Sequence, residues 1–251
     1  MSIFGTPQFV TGPETFGTPS VSAPFNTTVG DAIAVFYCGS DTAPTIQDAA
    51  GNTYTPQGPV LRSSGGINCQ MWTTIATNAM VGNTVTVTPS SANIRGIFVW
   101  DWPVTGGTAS LDGVANGVPS SSENPITTAP FSTSGSDEVV AMAMENDNGS
   151  PASAQSGYTL DESGFSGVMS GQHITAPLSS PQSDYTVGMT MSFGPTTGVA
   201  LAAFFKAGGA PPPGGGSGPS NRIFTTEVFG AEIITAKGIT FGTSTRTKIT
   251  K

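Results

Sequence analysis

His173 is the only histidine in this 251-residue chain, so any serine–histidine–acid relay must run through it. Ser170 and Asp184 are the nearest partners in sequence. No Gly-x-Ser-x-Gly turn surrounds a serine, however, and that turn is what lifts a nucleophilic hydroxyl clear of a sheet. His173 falls within a predicted strand, which gives it a structural or surface role. Cys38 and Cys69 are the only cysteines. Nucleophilic thiol chemistry would need one of them beside His173, and nothing in the spacing supports that. Neither a CxxC pair nor a Cys/His cluster exists, which argues against a zinc site.

Paired carboxylates could run glycoside hydrolysis, which brings in Glu123, Glu138, Glu145 and Glu162. Glu138 opens a strand after Ser136-Asp137 and reads as a solvated edge residue. Glu145-Asn146-Asp147-Asn148-Gly149 gathers oxygen ligands but lacks the alternating aspartates and distal glutamate of a calcium loop, so it reads as a hydrophilic turn. No glycine-rich loop precedes a helix to cradle phosphate. Trp100-Asp101-Trp102 offers aromatic faces for a sugar ring. Trp100 sits where Phe204 stands in a second copy of the pattern, which places it in the core. Trp102, just before Pro103, is the more exposed candidate, with Asp101 as the adjacent glycan contact. No catalytic set assembles, and no cofactor or metal is expected. A non-enzymatic binding or structural module remains.

The elements that must carry these residues are strands. Charged residues make up 10% of the chain, too few at helical spacing for long helices, while Thr- and Val-rich runs are broken by Gly, Pro and Asn-Gly turns. The pattern occurs twice. Tyr54 precedes Trp100 by 46 positions, Tyr158 precedes Phe204 by 46, and Thr84-Val85-Thr86-Val87 maps onto Gly188-Met189-Thr190-Met191 at an offset of 104. Ala32–Cys38 and Glu138–Met144 are apolar at both parities, as strands covered on both sides must be. With Cys69–Ala76, Thr84–Thr88, Gly96–Trp102, Met169–Ala176, Asp184–Ser192 and Gly198–Phe205, they predict an all-β, jelly-roll-like sandwich. It has about eight strands, in two half-repeats of one sandwich packed ~10 Å apart. An immunoglobulin-like sandwich is the alternative, disfavoured because no Cys-Trp-Cys spacing is present.

The predicted organisation is a β-sandwich over 1–209, with an arm at 1–28 and half-repeats at about 29–105 and 135–206. A Pro/Gly linker follows at 210–220, then a C-terminal β arm at 221–251. That last segment is too short to bury a core alone. Its apolar residues Ile223, Phe224, Val228, Phe229, Ile233, Ile234, Ile239 and Phe241, with Arg246 and Lys248, predict an assembly arm that adds strands to a partner. Residues 1–210 hold fourteen acids against Arg62, Arg95 and Lys206, a net −11, whereas the rest of the chain nets +3. An acidic body and a basic arm match a second copy of the same chain. Five cations do not make a nucleic-acid groove.

Met1–Pro7 has neither the basic patch nor the apolar run of a secretory signal, and no stretch approaches the ~20 apolar residues of a membrane span. A Ser/Thr-coated surface without an export signal predicts a virus-particle protein assembled in the host cytoplasm. A mature protein numbered without its leader fits the same data. A Cys38–Cys69 disulfide would close a loop of about 30 residues. Two packed free thiols are favoured, because cytosolic assembly argues against oxidation.

Val29-Gly30-Asp31 with its apolar strand, Asp48-Ala49-Ala50-Gly51-Asn52-Thr53-Tyr54, Met71-Trp72 and Asn83-Thr84-Val85-Thr86-Val87 together resemble a jelly-roll (LamG-like) module of phage tail, fibre and capsid-surface proteins and of bacterial surface proteins. The resemblance spans roughly 28–206 and marks a fold better than a function. It implies display on a particle surface, either as capsid decoration or in a tail or fibre. Contacts would be to itself, to other virion proteins and in some cases to a cell-surface glycan. It supplies no catalytic residues.

Overall fold

The computed structural model describes residues 2–208 except 91, 92, 119–121, 137 and 148. The predicted linker at 210–220 and assembly arm at 221–251, with Ile223 through Lys248, lie outside the described residues. Among the described residues no helix is long and apolar enough to cross a membrane, and the protein is all-β.

Strands β1 (Gln8–Gly12), β2 (Thr15–Phe16), β3 (Ser20–Val21), β4 (Phe25–Thr27), β5 (Ala32–Gly39) and β6 (Thr45–Asp48) begin the first half. It continues with β7 (Thr55–Pro56), β8 (Leu61–Arg62), β9 (Asn68–Ile75), β10 (Met80–Asn83), β11 (Val85–Thr88) and β12 (Asn93–Trp102). The second half holds β13 (Ala109–Gly117), β14 (Ile126–Thr127), β15 (Glu138–Asn146), β16 (Ala152–Ser153), β17 (Tyr158–Phe165), β18 (Met169–Ile174), β19 (Gly188–Met191) and β20 (Gly198–Ala207). The large sheets run β1-β12-β5-β9-β7 and β13-β20-β15-β18-β17, antiparallel throughout. Position by position these are the same sheet built twice. The small sheets repeat as well: β3-β11-β6 is matched by β14-β19-β16.

The all-β sandwich with two repeated halves expected from the sequence is present, and the duplication sets how it is layered. Each half has its own large and small sheet, and the two large sheets face each other, giving four layers. In β5 the alternation decides the layering. Ile33, Val35 and Tyr37 meet Val85, Val87 and Phe25 of the small sheets. Ala34, Phe36 and Cys38 join a separate core that includes β15 and β20. Both parities are apolar because both faces are covered by other sheets. The seam between halves is an aromatic layer: Trp102 lies 6.0 Å from Phe205, and Phe98 lies 5.6 Å from Phe165.

Gly171 shows how closely the seam packs. A Cβ there would lie 2.9 Å from the Trp100 ring and 3.1 Å from the Phe98 ring. Both rings belong to the opposing sheet and are fully buried. Gly171→Ala should therefore cost about 1–3 kcal/mol of unfolding free energy by urea titration. An unchanged midpoint would mean that the seam is loose.

Strand β13 lies between the expected half-repeats. Ala-Ser-Leu-Asp-Gly-Val-Ala-Asn-Gly shows little alternation, yet it pairs along its length with β20 as the edge of the second large sheet. A register shift between Leu111 and Gly113 releases Asp112 from the ladder to meet Lys206 at 2.6 Å.

Candidate functional site

His173 pairs with neither of the partners nearest in sequence. Its Nδ1 lies 2.8 Å from the carboxylate of Asp161, which also accepts the Trp100 indole N–H at 2.7 Å. The Ser170 hydroxyl accepts the Gly164 N–H, and Asp184 is exposed in a left-handed turn at φ 53°. Asp161 therefore anchors a histidine and a tryptophan across the seam. That contact joins the two halves and leaves no activated hydroxyl.

The glutamates do not converge either. Glu138 is fully buried, which corrects the solvated edge position expected for it. The Gly135 N–H donates to one of its oxygens, while the other has no partner. Burial pushes its carboxyl up to about 7, against that hydrogen bond. Glu145 is fully buried at the end of β15, with no hydrogen bond to either oxygen. Burial, then the charge of nearby Asp147, pushes it up to about 8. Asp147 behaves oppositely. Burial would raise it, but hydroxyls of Ser63, Thr197 and Ser64 donate to it and hold it below the usual range. Asn146 is spent on the backbone of Ser150 and Val168. The oxygens of this segment thus diverge, and no group of three or more metal-ligating side chains converges among the described residues.

The tryptophan platform is also corrected. Trp102 is 1% exposed and Asp101 0%, because Trp102 faces Phe205 inside the seam rather than solvent. A sugar cannot stack on an enclosed ring. Asp101 has one oxygen without a partner, and burial, then the charge of Asp31, pushes it up to about 8.

The Asp48-to-Tyr54 motif is an internal clamp. Asp48 accepts the Asn52 N–H at 2.8 Å, the Asn52 amide at 2.8 Å, the Tyr54 hydroxyl at 3.1 Å and the Asn83 amide at 3.0 Å. Asn52 in turn accepts the N–H groups of Thr77 and Asn78. The motif ties three turns together. Asp48, Asn52 and Tyr54 are buried, so these side chains contact no ligand.

What lies open is a cleft along the seam, formed by adjoining hollows of about 430 and 550 Å³ that share Ile75 and Leu111. Thr53, Thr55, Gln57 and Thr73 form one wall, and Gln57 donates to the Thr73 hydroxyl at 2.7 Å. Every lining residue is uncharged. Comparison with other proteins adds nothing further. No family model, curated protein or solved structure matches the chain. The cleft can hold a neutral ligand through hydroxyl, amide and apolar contacts, but it presents no acid, base or nucleophilic thiol. Sequence reasoning missed it because its two walls come from segments about 40 to 150 positions apart, with no motif in either.

The acidic charge is also redistributed. Of the thirteen described acids, Asp31, Asp41, Asp48, Asp101, Glu138 and Glu145 are buried, and only Glu123 and Asp184 are exposed. Asp31, Asp41 and Asp48 serve as struts under loops. With Asp101, Glu138 and Glu145 holding protons near neutrality, the body carries less charge than the expected −11.

Proposed function

We propose that this chain is a non-enzymatic structural protein of a bacteriophage particle, displayed on its surface as a capsid decoration or within a tail or fibre. The observation that carries this reading is the four-layer block itself. Six of its thirteen described acids are buried, and two sandwiches are fused through one continuous core. Such a block resists deformation and presents a Ser/Thr coat, which suits a displayed module better than a catalyst. The basic segment at 221–251 is the tether to neighbouring copies or other virion proteins. Because so few acids of the body face solvent, that contact depends on the segment's apolar residues more than on charge.

Truncation before Pro219 should abolish incorporation into the multimer, read by native mass measurement. Unchanged assembly of the truncated chain overturns the tether. A carbohydrate-binding adhesin is the second reading, favoured by the uncharged, hydroxyl-lined cleft. On this reading, glycan-array binding is lost in Gln57→Ala, while Trp102→Ala acts by unfolding the chain.

A further inference from the structure

We propose that Cys38 and Cys69 form a reversible modification site, a dithiol that closes to an intramolecular disulfide when the chain meets a low-molecular-weight disulfide such as oxidised glutathione. Three observations place the pair. The β5–β9 register sets Cys38 directly opposite Cys69, so both side chains leave the same face of neighbouring strands. Both thiols are free and fully buried in the seam core. They are also close enough that each shifts the proton affinity of the other.

The chemistry balances without any further reactant. One cysteine thiolate attacks a glutathione sulfur and expels one glutathione as thiol after protonation. The second cysteine then displaces the other glutathione from the mixed disulfide. Two protein thiols are oxidised, and one glutathione disulfide is reduced to two thiols.

The site is guarded. Burial raises both thiols, more than the hydrogen bond from Cys69 lowers Cys38, and the charge of Asp147 across the seam adds to the rise, so little thiolate exists in the closed fold. Attack therefore proceeds through local opening of the seam. Directly opposed residues keep Cβ atoms about 4.5–5.5 Å apart, whereas a disulfide holds them at about 3.5–4.5 Å. Closure must draw β5 and β9 together, which leaves a bond that is easily reduced again.

The test uses the full reduced chain incubated with oxidised glutathione, with and without sub-denaturing urea. The expected product has lost two hydrogens by intact mass and contains a Cys38–Cys69 cross-linked peptide. It forms faster in urea and reverts with dithiothreitol. In Cys69→Ala the same treatment leaves glutathione on Cys38, because no second thiol displaces it. Accumulation of that adduct in the unmutated chain overturns the proposal, as does a cross-linked species that has lost its sheet signal by circular dichroism.

Discussion

Replacing Glu145 by Gln should stabilise the protein at pH 9 by roughly 5 kcal/mol and leave it nearly unchanged at pH 4.5. Glu145 is fully buried, neither of its oxygens is hydrogen-bonded, and its carboxyl is pushed from 4.5 up to about 8. Its proton is thus held more tightly in the folded chain than in the unfolded one. The stability this provides is complete below about pH 4.5 and is lost progressively as pH rises toward 8. Beyond that both states are ionised, and the cost of a buried charge is constant. Asp101, pushed up to about 8 in the first half, adds in the same direction. At the acid end Asp41, Asp112 and Asp147 work the other way. Burial opposes them, but their hydrogen bonds, and Lys206 for Asp112, hold each below its usual value of 3.8, so their contribution fades as pH falls below it. The unmutated chain should therefore be most stable near pH 4, where the two sets of carboxyls balance. Urea titrations of both chains from pH 4.5 to 9 measure the difference. A variant no more stable than its parent at pH 9 removes Glu145 as the cause.

The long buried strands were legible because burial on both faces leaves a continuous apolar run. Ala32–Cys38 and Glu138–Met144 became the centres of the two large sheets. The same runs already contained the four-layer answer. In an isolated two-layer sandwich each sheet has an outer face in water, so a strand apolar at both parities requires a third layer beyond it. Counting apolar runs concealed this, because the small sheets are built from strands of two to four residues such as β3 and β14. Strand β13 was illegible for another reason: its pairing with β20, not its own composition, makes it a strand. Chemistry was read less well than architecture. Burial decides whether a carboxylate is a solvated edge or an unpartnered interior group, and sequence neighbours do not report it. Glu138 and Trp102 were both misplaced on that account. Asp161 meets His173 only because β17 and β18 pair.

Asp48→Ala should cost about 4 kcal/mol. The buried carboxylate accepts four hydrogen bonds from Asn52, Tyr54 and Asn83, and its removal leaves those donors enclosed without acceptors. Each stranded group carries a penalty of about 1–3 kcal/mol, offset where the loops relax to admit water. Tyr54→Phe removes one donor together with its need for a partner, so about 1 kcal/mol should be lost there. Asp48→Asn keeps the size but turns an amide N–H toward other donors, so it should fall between the two. A cost below 1 kcal/mol for Asp48→Ala would mean the motif is not a clamp. The shape of the transition is the sharper readout. Asp48 belongs to the first half, but that half shares its seam core with the second: Phe98, Trp100 and Trp102 are buried together with Val139, Ala141 and Phe205. Unfolding either half strips the other of one covered face. The variant should consequently melt in one transition at lower urea, monitored by tryptophan fluorescence and by circular dichroism. If the first half unfolds alone while the second keeps its sheet signal, the seam does not bind the two sandwiches into one cooperative unit.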